Sequence, residues 1–448
     1  MVDKTREIAL KILFDVFTKK AYSNISINKY FGKYDFEAKD RAFITEMVYG
    51  TIRWKLKIDW VIEKFSNIRF DKISHHTINI LRLGTYQILF MDRVPDSAAC
   101  NESVKLSKKY GHKGTYGFVN AVLRNISRNK SSIFFPNKNH EYSKFLSVYY
   151  SHPLWLVERW LDRYGSGFTE GLLKANNETP EFCIRTNTLK CQRDELRDIL
   201  MNEGIKSKEG KYLSEAVIIE NPSDITRLES FKKGLFQVQD ESSMLVSRVL
   251  DPKPGETIID VCSAPGGKTS HIVQLMNNCG TVLARDIYQH KINIVEKSLK
   301  RLGNNIVKTK IFNAEYADDK MSKKADRVII DAPCTGYGVI KRKPEIKIMM
   351  DRNEKNKISK LQLNILKASS KLLKSGGVMV YSTCTFEPEE NEMVVEKFLY
   401  NEKGFAYEGF YDLLPEGLKK EEAKKGFLKI YPHIDGIDGF FIAKLKKV

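Results

Sequence analysis

The chain has 448 residues, of which 42% are hydrophobic and 29% are charged, with 27 Gly and 13 Pro. These proportions exclude a collagen-like, low-complexity or disordered chain. The 74 Lys and Arg exceed the 56 Asp and Glu, which gives a net charge of +18 at pH 7. Such an excess favours a polyanionic partner, although basic enzymes without one also exist. The excess is concentrated in residues 1–140, which hold 25 Lys and Arg and 13 Asp and Glu.

The seven cysteines include no Cys-x-x-Cys pair, so they fit neither a disulfide framework nor a zinc knuckle. His75 and His76 are adjacent, but no further ligand at suitable spacing accompanies them, and we expect no metal site. The charged start of the chain does not resemble a secretion signal, and no apolar run approaches the roughly 18 residues that span a bilayer. We therefore expect a cytoplasmic monomer with no membrane partner.

The first domain, residues 1–130, is predicted to be all-helical. Apolar residues recur three and four positions apart in 8–17, 41–65, 78–90, 96–109 and 116–126. The Ser-, Asn- and Pro-containing stretch 129–141 breaks this periodicity and predicts a linker. Within 101–138, eight Lys and Arg accompany one acidic residue, so this stretch is a candidate surface for docking RNA.

The remaining chain predicts two further domains that mix helices with strands. Residues 142–240 alternate helical patterns with short strand candidates at 180–189, 217–220 and 235–239, which favours a small α+β module. Residues 241–448 repeat a pattern of apolar strand, turn and helix. Its strand candidates are TIIDVCS, TVLARD, VIIDAP and GVMVYST. Such continuous apolar runs are typical of buried parallel strands, so we predict a doubly wound α/β sheet that binds ligands at the carboxyl ends of its strands.

The segment from Asp260 to Thr269, DVCSAPGGKT, follows the first of these strands and opens a helix. Its glycines allow backbone N–H groups to approach a ligand at the positive end of that helix. Cys262 stands where a Walker A loop requires Gly, so the loop indicates a nucleotide-like ligand or, alternatively, a tight structural turn. Asp286 ends the next strand, where an acid hydrogen-bonds ribose hydroxyls or caps the following helix.

Two more motifs close apolar strands and carry one cysteine each. Cys334 lies in DAPCTGYG and Cys384 lies in STCT, both among Gly, Pro, Ser and Thr at the expected rim of the sheet. Two thiols at neighbouring strand ends can face one pocket. A cysteine is more often a small buried apolar residue, and this is our interpretation of Cys100, Cys183, Cys191 and Cys279.

In this order, the motifs D-x-C-x-A-P-G-G-K-T, D-A-P-C-x-G-x-G and Y-S-T-C-T-x-x-P-E-E-N-E resemble the RNA cytosine-5 methyltransferase family, over about 238–445. The helical domain is similar to the transcription factor NusB at Leu81 to Tyr86, Val94-Pro95, Asn101-Glu102 and Phe118 to Leu123. The resemblance thus covers essentially the whole chain. It implies a NusB-like RNA-binding domain (1–130), a small RNA-binding module of ferredoxin-like fold (142–240) and a Rossmann-like, S-adenosyl-L-methionine-dependent methyltransferase domain (241–448).

The same resemblance implies the roles of the site residues. Cys384 would add to C6 of cytosine, so that C5 becomes nucleophilic, and Cys334 would assist release of the product. Asp331 would donate a hydrogen bond to N3 of the flipped base from a protonated carboxyl or a shared proton. The implied cofactor contacts are Cys262, Ser263, Ala264, Pro265, Gly266, Gly267, Lys268, Asp286, Asn313 and Asp331. Asn313 replaces a more common Asp, which removes charge assistance from its expected bond to adenine.

The implied reaction is C5 methylation of a specific cytosine in 16S ribosomal RNA, as naked RNA or in a small-subunit assembly intermediate. Another RNA such as transfer RNA stays open as the substrate. A protein that only binds RNA or transcription factors has no reason to keep both cysteines, and DNA enzymes are expected to lack the Ser-Thr-Cys motif. The three positive charges of 341–343 predict either phosphate contacts or a solvated loop.

Overall fold

The computed structural model describes residues 2–220, 224–349 and 355–448. The chain packs as two compact units. The first comprises Met1–Thr179 and Ile340–Met349, and the second comprises Pro180–Val339 and Met350–Val448. The first boundary therefore falls later than the predicted domain boundary at 142. The three predicted domain ranges stay predictions, while their three fold classes are observed, as described below.

Eighteen α-helices lie within the described residues. They are α1 (Lys4–Lys19), α2 (Ser23–Lys33), α3 (Ala38–Arg53), α4 (Lys55–Phe65), α5 (His75–Phe90), α6 (Asp96–Tyr110), α7 (Thr115–Arg128), α8 (Tyr142–Tyr149), α9 (Leu154–Ala175), α10 (Arg193–Asn202), α11 (Glu229–Lys232), α12 (Glu241–Leu250), α13 (Gly267–Leu275), α14 (Gln289–Leu302), α15 (Ile346–Met349), α16 (Lys355–Ser370), α17 (Glu392–Asn401) and α18 (Pro432–Asp435). None of them is long and apolar enough to cross a membrane.

Twelve β-strands accompany these helices in the described parts of the chain. They are β1 (Phe182–Thr186), β2 (Ser207–Glu209), β3 (Ala216–Ile219), β4 (Phe236–Val238), β5 (Thr257–Asp260), β6 (Thr281–Asp286), β7 (Val307–Ile311), β8 (Ala325–Asp331), β9 (Leu373–Thr383), β10 (Phe405–Tyr407), β11 (Phe427–Ile430) and β12 (Phe440–Lys447).

The first unit is built from helices α1 to α9, which confirms the all-helical prediction. Its apolar positions, such as Ile12, Ile44 and Leu81, are fully buried in one core. Helix α1 begins where the Asp3 side chain accepts a hydrogen bond from the N–H of Arg6 at 2.8 Å, a standard N-cap. The single helical pattern predicted for 41–65 is two helices, α3 and α4, because the backbone leaves the helical conformation at Trp54.

The segment Ile340–Met349, which follows the Cys334 motif in sequence, packs with the helices of the first unit. The Glu345 carboxylate is fully buried and accepts from the N–H and the hydroxyl of Ser23 at 3.1 and 2.9 Å. The Lys347 ammonium group donates to the carbonyl of Arg53 at 2.8 Å. Buried charges are retained when their hydrogen bonds are made, so these contacts anchor the segment.

The three residues of the basic segment 341–343 differ in exposure. Lys341 is only 9% exposed, and its carbonyl accepts from Arg53 at 3.3 Å, whereas Lys343 is exposed. In contrast, all eight Lys and Arg of 101–138 are exposed, on α6, α7 and the loops that flank them. The candidate RNA-docking surface is thus solvent-accessible and positively charged.

A four-stranded antiparallel sheet of order β2-β3-β1-β4 opens the second unit. In β1, Ile184 pairs with Val217 of β3 and Val238 of β4. Helix α10 contacts β2 and β3, and the buried side chains of Leu196 and Leu200 join the core of this module. The predicted α+β module is confirmed, with β2 as the strand that the sequence pattern did not indicate.

The large sheet has the order β10-β12-β9-β8-β5-β6-β7, and β11 also pairs with β12. Strands β5 to β9 run parallel, whereas β12 is antiparallel to β9. The predicted strands are β5, β6, β8 and β9, so the α/β prediction is confirmed, and the antiparallel edge makes the sheet mixed. Strand β7 was not predicted because it is an edge strand of sequence VKTKI with largely exposed positions.

Candidate active site

A cavity of about 540 Å³ lies at the carboxyl ends of the parallel strands of the second unit. Seven of the predicted site residues line it: Cys262, Ala264, Asp286, Asn313, Asp331, Cys334 and Cys384. They come from the ends of β5, β6, β7, β8 and β9 or from the loops that follow. The prediction that the site lies at the carboxyl ends of the parallel strands is therefore consistent with this cavity, some of whose lining residues are more than 120 positions apart in the sequence.

A smaller cavity of about 130 Å³ lies beside the predicted cofactor loop, Cys262 to Lys268. Ser263, Pro265, Gly267 and Lys268 line it, and Cys262, Ala264 and Asp331 line both cavities. Gly266 lines neither, but it is the N-cap of α13 with φ of 99°, a left-handed conformation that favours glycine. The residues of the predicted cofactor loop thus line two cavities that share part of their walls.

The Asp260 carboxylate closes this loop from both ends. One oxygen accepts from the Thr269 hydroxyl at 2.6 Å, and the other accepts from the N–H of Cys262 at 3.3 Å. Burial raises the pKa of Asp260 to about 7, more than the hydrogen bond from Thr269 lowers it, and the nearby charge of Asp331 raises it further. The loop is therefore held by a carboxyl group that titrates near neutral pH.

The polar groups around the loop fit a nucleoside-bearing ligand. Ser263 Oγ is buried and, among the described residues, has no hydrogen-bond partner, so it is available to a ligand or water in the adjoining cavity. Asp286 is 6% exposed and accepts from the N–H of Tyr288 at 3.3 Å. Tyr288 is itself the N-cap residue of α14, so Asp286 does not cap that helix. Where the structure describes the chain, no cluster of three or more His, Cys, Asp or Glu could hold a metal ion.

Asn313 forms a local turn and lines the larger cavity. Its Oδ1 accepts from the N–H of Glu315 at 3.0 Å, which is a local turn. Asn313 also lines the larger cavity together with Phe312 and Ala314. Its turn therefore fixes the side chain at the wall of the cavity.

The two predicted thiols are in contact. The Sγ atoms of Cys334 and Cys384 lie 3.2 Å apart, and all seven cysteines of the chain are thiols. The hydrogen bond to Cys384, followed by burial, raises the pKa of Cys334 well above its ordinary value. Cys334 is therefore a weaker acid than an ordinary thiol, and its S–H lies within hydrogen-bonding distance of Cys384 Sγ.

Asp331 lies beside this pair at the end of β8. Its carboxylate accepts from Lys268 Nζ at 2.8 Å and from the Ser382 hydroxyl at 3.0 Å. Lys268 belongs to the predicted cofactor loop, and Ser382 belongs to β9, the strand that ends just before Cys384. Asp331 therefore links the two halves of the site, and it does so as a hydrogen-bond acceptor.

Asn391 supports Cys384, and sequence reasoning assigned it no role. Its Oδ1 accepts from the Thr383 hydroxyl at 2.6 Å, and its Nδ2 donates to the carbonyl of Thr385 at 3.0 Å. Both residues that flank Cys384 are thereby fixed by one fully buried amide. The motif Y-S-T-C-T-x-x-P-E-E-N-E contains Asn391 and was the available signal.

Arg185 supports the cofactor loop from the small sheet, and no motif indicated it. It is 1% exposed and donates to the carbonyl of Gly267 at 2.8 Å and to the Ser270 hydroxyl at 2.9 Å. Its guanidinium group also bonds to Gln239, a residue that lines the smaller cavity. A buried arginine with these partners fixes the first turn of α13.

The order of the parallel strands, the glycine loop before α13 and the polar strand ends define a Rossmann-like methyltransferase domain. Comparison with known proteins agrees. A family model described as 16S rRNA methyltransferase RsmB/F matches residues 247–446. The NusB family model matches 3–128, and a ferredoxin-like domain of RsmF/B-like methyltransferases matches 152–226.

Whole-chain similarity specifies the family. A probable ribosomal RNA small subunit methyltransferase B from Bacillus subtilis is 36% identical over 99% of this chain and 98% of its own length. A crystal structure titled PH0851 is 28% identical, with a TM-score of 0.84 over 100% of both chains. The structure of NSun6 from Pyrococcus horikoshii with SFG is 27% identical, with a TM-score of 0.57, and covers 65% of this chain and 97% of its own. The chain belongs to the RsmB/F family of 16S ribosomal RNA methyltransferases.

Proposed function

We propose that the protein transfers a methyl group from S-adenosyl-L-methionine to C5 of a specific cytosine in 16S ribosomal RNA. The reaction proceeds through a covalent bond between Cys384 Sγ and C6 of that base. The observation that carries the proposal is the contact of the two thiols, 3.2 Å apart, in a cavity that Asp286 and Asn313 also line. One space thus holds a nucleophile, an acid and the groups expected to bind a nucleoside.

The two cysteines have complementary chemistry. The Cys384 thiolate forms a bond to C6, and the electrons of the C5–C6 double bond make C5 nucleophilic. After the methyl group is transferred, water takes the proton from C5, and the electrons of that C–H bond restore the C5–C6 double bond. The bond between C6 and sulfur breaks at the same time, and sulfur leaves as the thiolate. The S–H of Cys334 donates a hydrogen bond to the departing Cys384 thiolate, whose Sγ lies 3.2 Å away. This hydrogen bond stabilises the negative charge on sulfur and makes Cys384 a better leaving group.

Asp331 is the residue proposed to hold the base. The cytosine must leave its stack to reach Cys384, which costs a few kcal/mol. Recognition at N3 needs a donor, but Asp331 accepts from Lys268 at 2.8 Å. The proposal therefore assigns the donor for N3 to Asp331 together with Lys268, to which it is hydrogen-bonded.

When bound, S-adenosyl-L-methionine supplies the electrophilic methyl group. Asp286 is assigned to the ribose hydroxyls and Asn313 to the adenine. The loop from Cys262 to Lys268 is assigned to the methionine and ribose portion of the cofactor. The unsatisfied Ser263 hydroxyl supports this assignment. It is further supported by the similarity to the NSun6 structure, which was solved with SFG, an analogue of S-adenosyl-L-methionine.

The helical unit is proposed to dock the RNA. Its eight exposed Lys and Arg within 101–138 neutralise phosphates and position RNA without reading the sequence. Four of them, Lys105, Lys109, Lys130 and Lys138, also form ion pairs with carboxylates of the same unit. The names of the B. subtilis relative and of the family model support small-subunit ribosomal RNA as the substrate.

The test is transfer of labelled methyl groups from S-adenosyl-L-methionine to unmodified 16S ribosomal RNA, followed by nuclease digestion. Wild type is compared with Cys384→Ala and with Cys279→Ala, which removes an exposed thiol in the same unit. We expect 5-methylcytidine with wild type and Cys279→Ala and none with Cys384→Ala. Cys334→Ala should accumulate an RNA–protein band that resists denaturation.

Each other result changes a defined part of the proposal. Methylation by Cys384→Ala removes Cys384 as the nucleophile. Label in transfer RNA but not in 16S ribosomal RNA replaces the substrate and keeps the chemistry. Failure of the wild type to bind S-adenosyl-L-methionine would refute the proposal as a whole.

A further inference from the structure

Glu390 is a buried carboxylate that the proposed chemistry does not use. It is 0% exposed and lies in the 3-10 turn Pro388–Glu390, after the Cys384 motif. It accepts from the N–H and the hydroxyl of Thr335 at 2.9 and 2.6 Å, and from Gln362 Nε2 at 3.1 Å. A buried carboxylate with three donors is a fully hydrogen-bonded anchor.

This anchor acts on both sides of Cys334. Thr335 directly follows Cys334 in the chain. On the other side, the same amide of Gln362 donates to the carbonyl of Pro333 at 2.9 Å. The backbone on either side of the thiol is therefore tied, directly or through one amide, to Glu390.

The anchor also extends to the second thiol. The hydroxyls of Thr335 and Thr385 are hydrogen-bonded at 3.0 Å, and Thr385 directly follows Cys384. Each cysteine thus has a threonine neighbour, and the two threonines bind each other while one of them binds Glu390. The separation of 3.2 Å between the thiols depends on this connection.

We propose that Glu390 is a positioning residue that holds the Cys334 thiol against Cys384 and thereby sets the rate at which the methylated RNA is released. The proposal rests on the function proposed above, in which Cys334 donates a hydrogen bond to the departing thiolate. Such a bond requires contact, and a displacement of about 1 Å in a reacting group can cost about 100-fold in rate. Attachment of the base to Cys384 does not need Cys334 and is expected to depend less on Glu390.

Glu390→Gln tests this with little change in shape. The carboxylate accepts from two N–H groups at one oxygen and from the Thr335 hydroxyl at the other. Glutamine keeps one acceptor oxygen and presents its NH₂ group to that hydroxyl, so the charge-assisted bonds to Glu390 are lost and the Cys334 loop is held less tightly. A matched control is Glu396→Gln, which makes the same change at an exposed position of α17. A second variant, Thr335→Val, removes only the hydroxyl, and Thr335→Ser keeps it.

The first measurement compares turnover with the fraction of RNA covalently bound to protein. We expect Glu390→Gln and Thr335→Val to release product 10- to 100-fold more slowly, with an increased fraction of covalent adduct. Glu396→Gln and Thr335→Ser should match the wild type. If Glu390 only stabilised the fold, adduct and turnover would fall together, and that result overturns the proposal.

The second measurement does not depend on RNA chemistry. Diamide takes two electrons and two protons from a pair of neighbouring thiols, which then form a disulfide, and mass spectrometry follows the cross-link between Cys334 and Cys384. We expect this cross-link to form several-fold more slowly in Glu390→Gln than in Glu396→Gln. Cross-linking at the same rate in both variants refutes positioning by Glu390. If Cys334→Ala never accumulates an adduct, the proposed function fails, and the cross-linking rates still decide whether Glu390 positions the thiols.

Discussion

Gly338 closes the Cys334 loop at a point where the structure has no room for a side chain. Its N–H donates to the carbonyl of Cys384 at 2.9 Å, and its carbonyl accepts from the N–H of Gly439 at 2.8 Å. A Cβ atom at Gly338 would lie 1.9 Å from the Gly439 carbonyl oxygen and 2.5 Å from its carbon. Both are backbone atoms, so no side chain can rotate away to relieve the clash.

Gly338→Ala therefore forces the Cys334 loop and the start of β12 apart by about 1 Å or more. Two backbone hydrogen bonds, worth about 1 kcal/mol each, are lost or strained. Overpacking of a rigid site adds about 1–3 kcal/mol. We expect a loss of about 3–5 kcal/mol in the free energy of unfolding of the second unit, and at least a 100-fold loss of methyl transfer because the thiols are displaced.

Calorimetric unfolding and methyl transfer to RNA measure the two effects. Gly404→Ala is the control, because a Cβ atom there has no neighbour within 4 Å and the position is exposed. It should change the free energy of unfolding by less than about 0.5 kcal/mol. If Gly338→Ala unfolds at the same temperature as Gly404→Ala and methylates RNA at its rate, the close approach of Gly338 to Gly439 has no energetic role and our reasoning is wrong.

Three further predictions concern the cofactor loop and its supports. Asp286→Asn should weaken binding of S-adenosyl-L-methionine about tenfold in calorimetric titration, through loss of a charge-assisted bond to ribose, and an unchanged Kd would remove Asp286 from the cofactor site. Burial raises the pKa of Asp260 to about 7, so the folded state binds this proton more tightly than the unfolded state. Stability should therefore decrease by about 1.4 kcal/mol per pH unit as the pH rises from about 4 towards 7. Asp260→Asn should abolish this part of the pH profile, and an identical profile in the variant contradicts the assignment. Arg185→Met leaves the buried Oε1 atoms of Gln239 and Gln274 without their donor and should cost about 3 kcal/mol in urea unfolding, whereas a loss below 1 kcal/mol would show that this arginine does not support α13.

The sequence alone determined the fold classes and most of the residues that meet in the site. Continuous apolar runs identified β5, β6, β8 and β9, because strands buried on both faces have no polar alternation. Parallel strands end at one edge of the sheet, so Asp286, Cys334 and Cys384 were expected to share a pocket, and they line one cavity. The helical domain was predicted equally well, because the buried face of a helix shows in the sequence as apolar residues three and four positions apart.

The roles of residues that bind distant parts of the chain became evident only in the tertiary structure. Arg185 and Gly267 are 82 positions apart, and Thr335 and Glu390 are 55 apart, so no local pattern connects them. The burial of Lys341 was missed for the same reason, whereas β7 was missed because the exposed positions of an edge strand give no apolar run. Periodicity and motifs describe what a segment buries, whereas hydrogen bonds between segments depend on where the completed fold places them.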